Sequence, residues 1–144
     1  MAKAVADLIE RYAPVYLCGY SMGAFVAARV AAERPEGIRR LVLCRSQHKA
    51  GRDRATSHEV LPIAVRVVAD EGGFLPRIQA PTLVLCGRRD RACFPDMQLI
   101  ADAIPNATAL VVPHTGHSLP VTHAEAFNAI VSGFLAEAGA GTPR

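Results

Sequence analysis

The stretch VYLCGYSMGAFVAARVAAERP, residues 15–35, decides how the chain is read. Its first four residues are apolar and β-prone, and its last twelve carry Ala24, Ala27, Ala28, Ala31 and Ala32, residues that favour helix. Between them stands Gly19-Tyr20-Ser21-Met22-Gly23. A strand that must turn sharply into a helix needs small flanking residues, and the Gly-x-Ser-x-Gly arrangement then holds the serine in a strained backbone conformation with its hydroxyl above the sheet. The new helix also directs unsatisfied N–H groups at the region above Ser21, so the Met22 amide is placed to stabilise a developing oxyanion. Without that context, such a serine is an ordinary turn residue.

Working outward, Val5, Leu8, Ile9 and Tyr12 recur at helical spacing and Pro14 ends that pattern, which predicts a helix over 3–12. Short β-rich runs at Val15–Cys18, Leu41–Cys44, Thr82–Cys86 and Ala109–Val112 predict four buried strands. Helical patterns lie between them at 22–33, 56–70 and 95–104, and a last one runs from 123 to 137. Pro95-Asp96 suits a first helical turn, and Thr122 with Glu125 suits a capping box. Alternating strands and helices imply parallel pairing with right-handed crossovers. The expected fold class is α/β: one domain over 1–144, a parallel sheet of about four strands flanked by helices, a short lid-like insertion over 47–78 and a flexible tail over 138–144.

Composition narrows the function classes. With 144 residues, 51% hydrophobic and 20% charged, the chain suits one ordinary globular domain. A net charge of +3, without a basic helix interleaved with aromatics, gives no nucleic-acid footprint. The N-terminus does not read as a signal peptide, and no apolar run reaches membrane-spanning length, so the expectation is a cytoplasmic protein with no membrane partner. Cys18, Cys44, Cys86 and Cys93 lack the paired spacing of a zinc site, so no metal is expected. Three of them end apolar runs and read as small buried packing residues.

A serine hydroxyl is a weak nucleophile until a base takes its proton, so the pentapeptide calls for a histidine and an orienting carboxylate. Asp90 follows the third strand in PTLVLCGRRD, and His117 follows the fourth in ALVVPHTGHSLP. The order is serine, acid, histidine. Asp90 also suits a cap for the helix that opens at Phe94-Pro95. His114 reads as a loop residue near the site, while His48, His58 and His123 carry no motif and suit surface or capping roles. Arg88, Arg89 and Arg91 surround Asp90, and Arg45, His48, Lys49, Arg52 and Arg54 crowd the start of the insertion. These charges either steer an anionic ester or lactone or form a solvated rim.

With these segments in order, the chain resembles the α/β-hydrolase superfamily, specifically its single-domain esterase, lactonase and carbon–carbon hydrolase branch, and resembles its C-terminal half only. The matching segments are GYSMG, RPEGIRRLVL, IQAPTLVLCGRRDRACFP, IADAIPNATALVVPHTGHS and HAEAFNAIVSGFL. The resemblance implies Ser21 as nucleophile, His117 as general base and then acid, Asp90 as its orienter, Met22 N–H as an oxyanion donor, and Gly19 and Gly23 as the elbow glycines. It implies a cofactor-free hydrolase of a small ester or lactone, with a perhydrolase as a subclass. In the superfamily a preceding half supplies further strands and the second oxyanion donor, and loss of one such donor costs about 10²- to 10³-fold in rate. The expectation is therefore either a serine hydrolase impaired in that respect, or a non-catalytic remnant. In the second case the Val15–Cys18 strand edge binds a second copy or another partner chain.

Overall fold

The computed structural model describes residues 2–44, 73–91 and 93–137. The predicted helix at 56–70, most of the insertion at 47–78 and the tail at 138–144 lie outside the described residues.

The chain alternates helix and strand as its pattern requires. Helix α1 (Ala2–Tyr12) leads into β1 (Val15–Tyr20), α2 (Met22–Glu33) and β2 (Ile38–Cys44), and β3 (Thr82–Gly87) is followed by α3 (Phe94–Ala103) and β4 (Ala107–Val112). A short helix α4 (Leu119–Thr122) and the longer α5 (Ala124–Ala136) close the described chain. The four strands form one sheet in the order β1-β2-β3-β4, and every neighbouring pair is parallel. Consecutive strands are thus neighbours in space.

The two central strands are buried on both faces over most of their length, as their unbroken apolar runs predict. The outer strands differ from the expectation of four buried strands. In β1, Tyr16, Cys18 and Tyr20 are exposed, whereas Val15 and Leu17 pack into the core and Gly19 is buried. In β4, Thr108 and Leu110 are exposed between partly buried Ala107, Ala109 and Val111. Successive strand residues point to opposite faces, so each outer strand has one covered and one uncovered side.

The covered side holds the larger core, where Leu41, Leu43, Val84 and Cys86 lie with the apolar residues of α2 and α3 and with Phe74, Leu75 and Ile78 of the segment before β3. Alanines let α2 approach this face closely: Ala24, Ala27, Ala28 and Ala31 are all buried. The other side holds a smaller cluster of Val42, Cys44, Leu83, Leu85, Val112 and Leu119, over which α5 lays Phe127, Ile130, Val131 and Phe134. No residue of α5 is fully buried.

Two local readings change. Thr122 ends α4, where its hydroxyl donates to the Ser118 carbonyl at 3.0 Å, and the N-cap of α5 is His123 without a side-chain cap. The predicted capping box therefore does not form. Cys18 is exposed, in contrast to buried Cys44, Cys86 and Cys93, because it lies on the uncovered side of β1. Among the described residues no helix is long and apolar enough to cross a membrane.

Candidate active site

Ser21 joins the end of β1 to the start of α2 with φ 55° and ψ −124°. A non-glycine residue rarely adopts a positive φ, and it persists only where the surroundings impose it. Two hydrogen bonds help to do so here: the Ser21 N–H donates to the Cys44 carbonyl at 3.0 Å, and the Ala24 N–H donates to the Ser21 carbonyl at 3.0 Å. The turn is tightest at Gly19, where a Cβ would lie 2.4 Å from the Gly23 oxygen and 2.6 Å from the Ala24 Cα. A Cβ at Gly23 would meet no such neighbour among the described residues. The steric demand of the motif thus falls on Gly19. Met22 is the first residue of α2, and its side chain is exposed. An N–H in that position has no partner within the helix.

Asp90 lies in the turn between β3 and α3, with only 4% of its surface exposed. Its Oδ1 accepts the Cys93 N–H at 3.3 Å, and its main-chain oxygen accepts the Phe94 N–H at 2.9 Å. Its Oδ2 lies 3.6 Å from Nδ1 of His117, whose side chain is 25% exposed. Asp90 is not the cap of α3, whose N-cap is Cys93 without a side-chain cap bond; instead one Asp90 oxygen braces the turn that leads into the helix while the other lies toward the imidazole.

His117 is carried by the loop after β4, and that loop is fixed closely to β3. The buried Thr115 hydroxyl donates to the Val112 carbonyl at 2.9 Å, and the Arg89 N–H donates to the Thr115 carbonyl at 2.8 Å. Beneath it is Gly87, where a Cβ would stand 2.6 Å from the carbonyl oxygens of both Thr115 and Gly116. From the other side, the Tyr20 hydroxyl donates to the His117 carbonyl at 3.2 Å, with the two rings 6.3 Å apart. The residue before the serine thus reaches the histidine loop.

Other sequence-predicted residues have different places. His114 is exposed at φ 59° in the turn after β4. His123 sits between α4 and α5, with its Nδ1 2.8 Å from the Thr122 hydroxyl. The Arg88 guanidinium lies 4.4 Å above the Phe94 ring, a cation–π contact. Arg45, His48, Lys49, Arg52, Arg54 and His58 lie outside the described residues. Burial pushes the Cys44 thiol up to about 12, helped by the proximity of Cys18, Cys93 and Asp90. A thiol so held stays protonated and packs as a small hydrophobe.

Comparison with known proteins agrees with this geometry at the level of fold. The chain superimposes on the enol-lactonase from Burkholderia xenovorans LB400 with a TM-score of 0.71 and 21% identity, covering 94% of this chain and 71% of that one. It also superimposes on MGS-MChE2, an alpha/beta hydrolase enzyme from the metagenome of sediments from the lagoon of Mar Chica, Morocco, with a TM-score of 0.69 and 20% identity, covering 94% of this chain and 68% of that one. The fold is that of the α/β-hydrolases. In sequence, the chain is 42% identical over 79 residues to 2-hydroxy-6-oxononadienedioate/2-hydroxy-6-oxononatrienedioate hydrolase 2 of Pseudomonas putida, a match covering 54% of this chain and 27% of that protein. The chain matches about a quarter of the length of the curated relatives it resembles. No family model matches it.

Proposed function

We propose that the chain carries the nucleophile, acid and base of a cytoplasmic serine hydrolase acting on a small ester or lactone. Ser21 attacks the carbonyl carbon while His117 takes its proton, and the tetrahedral oxyanion is held by the Met22 N–H. Collapse expels the leaving group, protonated by His117, and leaves an acyl-enzyme. Water activated by His117 then attacks that acyl-enzyme, and the proton returns to Ser21. Asp90 orients the imidazole through Nδ1.

The observation that carries this reading is the positive φ of Ser21 at a strand-to-helix junction. It is supported by the approach of Asp90 to His117 at 3.6 Å, a contact of the kind that tightens when substrate binds. The test is labelling with a fluorophosphonate probe. The chain is expected to label at Ser21, with Ser21→Ala abolishing the signal and His117→Ala slowing it by at least about 10³-fold. A folded chain that does not label removes the proposal.

A second reading is favoured by the uncovered side of β1 and by its edge, which pairs with no strand among the described residues. There another polypeptide, a second copy of this chain included, adds to the sheet beyond Val15–Cys18. Protection of Cys18 from thiol reagents on assembly, followed by sedimentation, tests it.

A further inference from the structure

We infer that Tyr20 is a positioning residue that ties the serine elbow to the histidine loop; this rests on the proposed roles of Ser21 and His117. Strand order poses the problem that Tyr20 addresses. Ser21 follows β1 and His117 follows β4, so two strands separate the elements that carry them. The bonds that fix the histidine loop run to its own strand and to the turn after β3: Thr115 Oγ1 to the Val112 carbonyl, and the Arg89 N–H to the Thr115 carbonyl. Neither reaches the elbow. The Tyr20 hydroxyl does, donating to the His117 carbonyl across 97 residues of sequence.

Geometry suits the task. Tyr20 immediately precedes Ser21, whose φ of 55° marks the turn into α2. Its side chain leaves β1 on the uncovered side, opposite Cys44 in the register, and passes toward the loop. The bond is made to the main chain of His117, so it fixes the loop's approach to the serine, while Asp90 faces the ring at Nδ1. Two supports of different kinds thus act on one residue.

The experiment uses the whole chain and compares it with Tyr20→Phe, which keeps the ring and removes the hydroxyl. With a fluorophosphonate ester, the maximal rate of inactivation is expected to fall about three- to tenfold, the range of one modest hydrogen bond, while the half-saturating concentration and the final stoichiometry stay unchanged. An unchanged maximal rate, or a change confined to half-saturation, overturns the inference and leaves the triad reading standing. Failure of the wild-type chain to label removes the triad reading instead. A second measurement then decides for Tyr20: ring resonances of His117 are expected to broaden in Tyr20→Phe while those of the other four histidines do not. Unchanged His117 resonances overturn it.

Discussion

The two faces of the sheet are built from similar residues and end in different states. On one, Leu41, Leu43, Val84 and Cys86 lie against α2, α3 and the segment around Leu75, and each is at most 2% exposed. On the other, α5 covers the central strands, while Tyr16 and Tyr20 of β1 remain 46% and 37% exposed and Leu110 of β4 remains 38% exposed. The difference matters because Ser21 stands at the end of the strand where the two environments meet. Gly19 of the turn is buried against the covered face, and Tyr20 on the uncovered face donates to the His117 carbonyl.

Thiol chemistry gives the largest separation between the faces. Cys18 is exposed on the uncovered side, whereas Cys44, Cys86 and Cys93 are buried. A disulfide reagent at pH 8 is expected to modify Cys18 at least about 100-fold faster than the other three, since the buried thiols react only through opening. Equal slow modification of all four would show that the uncovered side of β1 is covered in solution. If that protection is lost on dilution as sedimentation slows, an assembling partner is the cause. Alkaline pH adds a further effect: the Cys44 thiol, raised from 9.0 to about 12, stays protonated in the fold and ionises in the unfolded chain. Its contribution to stability is present below pH 9 and is lost as pH rises toward 12.

Truncation compares the faces energetically. Leu41→Ala removes a fully buried side chain and is expected to cost about 2–5 kcal/mol in urea unfolding. Tyr16→Ala, on the uncovered side, is expected to change stability by no more than about 1 kcal/mol, because much of its ring is already in water. Equal losses would break the distinction between the faces.

The sequence states which residues are apolar, but not what lies over them. VYLC reads as a buried run, yet alternate members of β1 are exposed because covering a sheet face depends on elements distant in the chain. Strand β2 starts at Ile38, earlier than its apolar core suggests, because Arg39 and Arg40 read as polar. The elbow was legible because glycine, serine and the alanine-rich helix make one local pattern. The place of Asp90 in the turn after β3 was legible because it follows a strand end, but the cap assigned to it falls instead on Cys93, one residue before the helix. Tyr20 was not legible, because the middle residues of Gly-x-Ser-x-Gly carry no local constraint and its partner is 97 residues away. Gly87 was equally silent, since only the folded loop shows Thr115 and Gly116 against it.

Arg40 supplies the smallest effect and the most specific check on how α5 is held. Its side chain is 13% exposed, its Nη1 donates to the Phe134 carbonyl at 2.7 Å, and its guanidinium lies 4.6 Å above the Phe134 ring. Glu137, largely in water, adds an oxygen at 3.5 Å. A cation near the C-terminal end of a helix also meets the negative end of its dipole. Because Arg40 pairs in register with Tyr16, it joins the last turns of α5 to the boundary between covered and uncovered sheet. Arg40→Met keeps the aliphatic stem and removes the charge and the bond, so a loss of about 1–2 kcal/mol is expected. Amide exchange should then quicken in α5 and not in α2, whose packing lies on the opposite face. Equal acceleration in both helices would mean that the two faces open together, and that α5 is not held separately.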